Sequence, residues 1–282
     1  MDAATPDRRH LETPFQMTTG GVAYRVFGAG PPLVLFHGGA GSWQHWVLNV
    51  DALSVRFRVI ALDQPSYGDS QTIPWETDVP EYLALCFAAL EEVTAGDPNV
   101  HLAGFSFGGF IASDMAVRLG PRLAALSMTG GAGYGKPVGR GFTLGSRRKM
   151  AEALGREPTA TELRAMHAEN LAKLMIWDRT KIDDWAIDMQ VSNVARTRFD
   201  SRKLSWMDGT PDRLASITAP TFIVYGEHDA ARIPPIPERF DRCRSAKPDV
   251  QTHVIPACGH WAMYEAPATV NRLLSDFHGA AP

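Results

Sequence analysis

The chain has 282 residues and a mass of 30.8 kDa, which leaves room for one large α/β domain with an insertion and excludes a mini-protein. Its 45% hydrophobic and 21% charged composition is that of a folded globular protein. With 28 basic against 31 acidic residues the net charge is −3, so no positive field exists to gather nucleic acid or an anionic membrane, and neither is expected as a partner. The three cysteines, Cys86, Cys243 and Cys258, are scattered and form no C-x-x-C, so they read as reduced core thiols. The opening stretch MDAATPDRRHLETPFQ lacks the apolar run of a signal peptide, and no stretch approaches the roughly 18 apolar residues of a membrane span. A cytoplasmic location is the expectation.

In chain order, Gln16 to Phe27 alternates apolar and polar residues around Gly20-Gly21, as a hairpin does. Short runs that are apolar on both faces follow at Leu33–Phe36, Arg58–Leu62, Val100–Ala103, Leu123–Met128 and Thr221–Tyr225, the pattern of buried parallel strands. Helical stripes separate most of them. Leu83, Phe87 and Leu90 fall on one helix face, and Ile111, Met115 and Leu119 on another. This alternation predicts a doubly wound, mostly parallel sheet of about eight strands with helices on both faces. Residues 134–211 break the rhythm with helix-forming, charged, Trp- and Met-bearing sequence, and are expected to form a helical cap inserted before the penultimate strand. The core would comprise residues 1–133 and 212–282, with a last strand over Val250 to Ile255 and a final helix carrying Val270, Leu273, Leu274 and Phe277.

The strongest local signal is Gly104-Phe-Ser106-Phe-Gly108-Gly109, a G-x-S-x-G between an apolar strand and a helix pattern. Such a turn exposes the serine hydroxyl and sets the next amide, that of Phe107, at a helix N-terminus, where an oxyanion can be bound. A Gly-rich turn with an N-capping serine would explain the same residues. Serine becomes a nucleophile only with a base and an orienting acid, so both are sought further along the chain. His260 follows a strand in Pro256-Ala-Cys-Gly259-His260-Trp261, at the strand end where α/β sites collect; His253 lies within a strand and His278 in the C-terminal tail. For the acid, Tyr225-Gly226-Glu227-His228-Asp229 offers Asp229, deeper in its loop and preferred, with Glu227 as the alternative. No carboxylate occurs between Leu123 and Gly135, the other strand end where an acid could sit. The glycines of Phe36-His37-Gly38-Gly39-Ala40-Gly41-Ser42 suit a second oxyanion donor, assigned to Gly39 with Gly38 beside it. The loop lacks a Walker lysine and full G-x-G-x-x-G spacing, so a nucleotide is not expected, and His37 reads as a loop-holding residue.

Taken together, H-G-G at 37–39, Asp63-Gln-Pro65-Ser-Tyr-Gly68-Asp-Ser70, the serine turn, G-E-H-D at 226–229 and G-H-W at 259–261 resemble the α/β-hydrolase superfamily across the whole core. The resemblance implies acyl transfer through a covalent serine intermediate, with no metal or organic cofactor and a small-molecule substrate. Ser106 in place of an aspartate argues against dehalogenase and epoxide-hydrolase chemistry. A finer resemblance points to hydrolases that cut carbon–carbon bonds in ring-fission products of aromatic catabolism. It rests on Trp46 with Asn49, on the Gly-His-Trp segment through Glu265, and on Arg196 where those enzymes keep a cap arginine. It implies that Arg196 pairs with a 2-oxo-acid carboxylate while Trp261 supplies an apolar wall. Phe105 replaces the asparagine usual before the nucleophile, and Ala40-Gly41-Ser42 lacks the usual proline, so Phe105 would make the pocket more apolar.

The leading reading is therefore hydrolysis of a 2-hydroxy-6-oxodienoate-type compound. A carboxylesterase or lactonase acting on a small hydrophobic ester is the alternative, and a noncatalytic ligand-binding relative the second alternative. A homodimer is compatible with the sequence. Met175, Trp177, Trp185, Met189 and Trp206 would line a pocket or glue cap helices together.

Overall fold

A computed structural model describes residues 13–137, 142–231 and 234–281. Its centre is an eight-stranded sheet in the order β1-β2-β4-β3-β5-β6-β7-β8. Strands β1 (Gln16–Met17) and β2 (Ala23–Phe27) form the expected hairpin, and β2 also pairs antiparallel with β4 (Arg58–Leu62). The remaining pairings, through β3 (Pro32–Phe36), β5 (Val100–Phe105), β6 (Leu123–Thr129), β7 (Thr221–Gly226) and β8 (Gln251–Ile255), are parallel. Every residue of β3, β5, β6 and β7 is buried, which is why these strands read as continuous apolar runs.

Helices cover both faces. On one side α2 (Val79–Val93) and α3 (Phe107–Leu119) bury Tyr82, Leu83, Phe110, Ile111 and Met115 against the sheet, each apolar side chain of that size contributing roughly 1.5–3 kcal/mol. α2 starts at a capping box in which Asp78 and Glu81 satisfy each other's backbone amides, with Pro80 in the first turn. On the other side α1 (Val50–Ser54) and α11 (Pro267–Ala280) pack with Trp43, Trp46, Leu274 and Phe277. α9 (Ile236–Ala246) lies between β7 and β8, and α10 (Ala262–Glu265) leads into α11. No described helix is long and apolar enough to cross a membrane. All three cysteines are buried and free.

Between β6 and β7 the described chain contributes helices and no strand to the sheet: α4 (Arg147–Leu154), α5 (Ala160–Asn170), α6 (Asp184–Ala195), α7 (Arg202–Ser205) and α8 (Thr210–Leu214). α5 ends in a wider turn over Leu171–Met175, closed by the Ile176 amide on Leu171 O. Trp185 and Met189 are buried in the second hydrophobic cluster, whereas Trp177 is exposed and stacks on His228 at 3.8 Å.

His278, read from the sequence as part of the C-terminal tail, is buried in α11. Its Nε2 meets Ser127 Oγ at 2.8 Å and its Nδ1 meets His101 Nδ1 at 3.2 Å, between Phe57 and Phe277. The aromatic packing of α11 against the sheet draws the polar side chain inward, and the two partners satisfy it there. Burial lowers His101 to about 4 and holds His278 well below its ordinary range. The unfolded chain takes up protons below about pH 6.5 and the folded cluster does not, so this contribution is complete above that pH and is lost as pH falls towards 4. The expected loss is roughly 2–3 kcal/mol between those limits. It is read as the difference in urea unfolding midpoints between the wild type and a His101→Phe/His278→Phe double variant across that range, and parallel pH slopes for the two proteins would refute it.

Candidate active site

The chain beyond the carboxyl ends of β3, β5, β7 and β8 contributes to one cavity of about 560 Å³, and Ser106 and His260 both line it. Ser106 joins β5 to α3 with φ +51° and ψ −115°, a left-handed conformation that costs a non-glycine residue of order 1–3 kcal/mol. The turn is held from several sides. Ser106 N–H bonds Thr129 O at 3.0 Å, and Ser106 O accepts from Gly109 N at 2.9 Å and Ala132 N at 3.0 Å. A Cβ on Gly104 would overlap the backbone of Gly108 and Gly109, and one on Gly108 the carbonyls of Phe36 and His37. The glycines therefore let α3 lie against β3 and β5.

His260 sits in the loop after β8, and its Nδ1 is 2.8 Å from Asp229 Oδ2 in the loop after β7. Both side chains are buried, and the other Asp229 oxygen accepts from Ala231 N at 2.7 Å. Glu227 is turned elsewhere, its Oε2 accepting from Ala257 N at 3.0 Å. Gly130, at φ +59°, closes β6 beneath this pair; a Cβ there would stand 3.0 Å from the His260 ring and 3.3 Å from Asp229 Oδ2. The strand end that carries no carboxylate thus makes room for the imidazole.

The amide of Phe107 lies in the first turn of α3, where it has no intrahelical acceptor. Gly38 and Gly39 line the cavity opposite, with Phe105 and Phe107. His37 holds this loop from below: its Nε2 accepts from Gln64 N at 3.0 Å and its Nδ1 lies 2.7 Å from Gly38 O, and burial pushes its pKa down to about 3. His45, which sequence reasoning did not single out, holds the loop as well. Its Nδ1 accepts the Gly38 amide at 3.1 Å, which places the ring proton on Nε2. Its ring stands edge-on to Phe105 and Trp261, and its carbonyl accepts Trp261 Nε1 at 2.9 Å. Nothing in the spacing marks His45; its importance comes from two loops and the end of β5 meeting around one ring.

Two expectations are corrected. Arg196 is absent from the residues lining the cavity; it ends α6 and its Nη1 pairs with Asp69 Oδ1 at 2.8 Å, a carboxylate that Arg25 also holds at 2.6 Å. The chain turns there, so the cavity wall is formed by Thr197 through Arg202. Trp261 is no pocket wall either: it is 1% exposed, stacked on Tyr264 at 4.5 Å, and its backbone amide bonds Met175 O at 2.7 Å. Trp46 and Asn49 are likewise buried supports, Trp46 donating to Phe36 O and Asn49 to Met263 O and Asn271.

Of the two arginines on the wall, Arg202 is neutralised by Asp200 through two 2.7 Å contacts. Arg198 is not. Its Nη2 donates to Ser70 O at 2.7 Å and Gly68 O at 3.3 Å, its buried Nε has no partner, and among the described residues no carboxylate pairs with it. Among the described residues, no cluster of three or more His, Cys, Asp or Glu side chains could hold a metal.

A sequence profile described as the alpha/beta hydrolase family matches residues 33–273. The chain belongs to that family. A relative named 2-hydroxy-6-oxononadienedioate/2-hydroxy-6-oxononatrienedioate hydrolase, from Paraburkholderia phymatum, is 30% identical over 271 residues, which span 92% of this chain and 91% of the relative. Among solved structures, a meta-cleavage product hydrolase from Pseudomonas fluorescens IP01 superimposes with a TM-score of 0.72 at 22% identity, covering 95% of this chain and 98% of that one. A thermophilic esterase from Thermogutta terrifontis gives 0.67 at 25% identity, covering 90% and 92%. This α/β hydrolase thus has the eight-stranded, mostly parallel sheet expected of it, with the helical segment entering before the penultimate strand.

Proposed function

We propose that the protein is a serine hydrolase acting on a small substrate that bears a carboxylate, and that it cleaves a carbon–carbon bond in a 2-hydroxy-6-oxodienoate-type product of aromatic-ring fission. Ser106 Oγ attacks the carbonyl carbon while His260 takes its proton, and Asp229 holds the imidazole in position and offsets its developing charge. The Gly39 and Phe107 amides receive the oxyanion. The bond to the dienoate carbon breaks, that carbon takes up the proton, and a water activated by His260 then releases the acyl group from Ser106. The segment between β6 and β7, helical where it is described, serves as the cap that keeps bulk water from this chemistry.

The observation that carries the substrate class is Arg198, a guanidinium that lines the same cavity as Ser106 and His260 and has no carboxylate partner among the described residues. Its role replaces the one expected of Arg196. The relatives named as oxononadienedioate hydrolases support the same chemistry.

An ester substrate is the second reading, and Phe105 is what favours it. The ring lines the cavity and packs 4.9 Å from His260, where a dienolate would gain from a polar group. Arg198→Ala separates the two. It should lower kcat/KM on a 2-hydroxy-6-oxodienoate by ~100-fold or more, and on a neutral p-nitrophenyl ester by less than ~5-fold. Equal losses on both would favour the esterase. Failure of a fluorophosphonate probe to label the folded protein, with no turnover of either substrate, would leave the noncatalytic binding reading.

A further inference from the structure

We infer that the lobe of the cavity beyond the Gly39-Ala40 turn is a second ligand subsite, which takes the far end of the substrate and recognises an uncharged hydrogen-bonding group there through His167 and Gln190. This rests on the hydrolase reading of Ser106 given above. The lobe has a volume of about 210 Å³ and adjoins the main cavity, the two sharing Gly39, Ala40, Leu144, Leu174 and Met175 as lining residues. A substrate with its reacting carbonyl over Ser106 would reach this lobe by extending past the Gly39-Ala40 turn that both cavities share.

The lobe is mostly apolar, with Leu144, Met166, Leu174 and Val194 on its walls, and its polar groups divide sharply into used and unused. The Asn170 side chain is consumed by Gly145, accepting its amide at 2.8 Å and donating to its carbonyl at 3.0 Å. Arg147 is paired with Glu157 at 2.9 Å. His167, by contrast, is only 6% exposed and its buried Nδ1 has no partner. Gln190 on α6 also lines the lobe and is half-buried. A buried polar atom without a partner is rare and unfavourable in a folded protein, and a ligand group that completes it is correspondingly welcome. Burial lowers the His167 pKa, which favours the neutral ring. With Arg147 neutralised and His167 uncharged, the lobe offers hydrogen bonds without a free cation. That suits a hydroxyl, ketone or amide and not a second carboxylate.

The test is binding of intact esters to the Ser106→Ala protein, measured by calorimetry with ethyl octanoate and ethyl ω-hydroxyoctanoate. The ω-hydroxy ester should bind ~10-fold tighter, since a group that satisfies a buried partner discriminates strongly from one that leaves it unpaired. In the His167→Leu background the two esters should bind alike, and His167→Gln should restore part of the preference. Equal affinities in the Ser106→Ala protein itself, or a preference that survives His167→Leu, would overturn the subsite, and the first result needs no further variant to fold. Failure of the hydrolase reading is seen separately, as absence of turnover by the wild type.

Discussion

Ser106→Ala is expected to lower kcat by ~10⁴-fold or more on any substrate the wild type turns over, because the remaining oxyanion donors and binding groups supply only a residual acceleration. Fluorophosphonate labelling should vanish with it. The fold should not suffer. Alanine keeps the Cβ and the positive φ of position 106, and no side-chain hydrogen bond caps α3 there, so the melting temperature should stay within ~2 °C of the wild type. Ser106→Gly provides the internal control: it loses the same activity yet gains up to ~1 kcal/mol, since glycine adopts φ +51° without steric strain. Activity within ten-fold of wild type in either variant would move the nucleophile elsewhere, and an unstable Ala variant would make Ser106 structural.

The second large effect lies in the backbone. Gly108→Ala should destabilise the protein by ~3 kcal/mol or more, a cost at the upper end of overpacking, because the new Cβ would run into the carbonyl oxygens of Phe36 and His37. Neither oxygen is the end of a flexible side chain, so relief requires α3 to move off β3. That movement would carry the Phe107 amide away from Gly39. Residual folded protein should therefore lose kcat with little change in KM. Gly20→Ala, whose Cβ would meet nothing closer than Thr18 Oγ1 at 4.0 Å, should stay within ~0.5 kcal/mol. Similar chemical-denaturation midpoints for the two variants would refute the packing argument.

The sheet was legible because its central strands are buried on both faces, and runs such as Leu33–Phe36 or Thr221–Tyr225 have no other stable home in a chain of this size. The serine turn was legible for a related reason: its glycines are demanded by backbone contacts, so the motif carries geometry as well as residue type. His278 failed because sequence position says nothing of which face a terminal helix buries. Arg196 failed because a basic run such as Arg196 to Arg202 distributes its members among Asp69, the cavity wall and Asp200 according to the turn at the end of α6, and one-dimensional spacing does not encode that turn. His45 was invisible because its partners, Gly38, Phe105 and Trp261, come from three separate stretches of the chain, the loop after β3, the end of β5 and the loop after β8.

The loop that carries His260 is also bound to the helical segment. Trp261 N–H bonds Met175 O, and the buried Glu265 carboxylate gathers the amides of Gly259, Trp177 and Asp178. Helical segment and histidine loop are consequently expected to open together in local unfolding. If the helical segment detaches, the Glu265 carboxylate loses two of those three amides, and the histidine loop loses the ties that fix its height above the sheet. In the proposed hydrolase, docking of the helices and placement of the imidazole would then be a single equilibrium, and a partly undocked molecule is expected to be an inactive one.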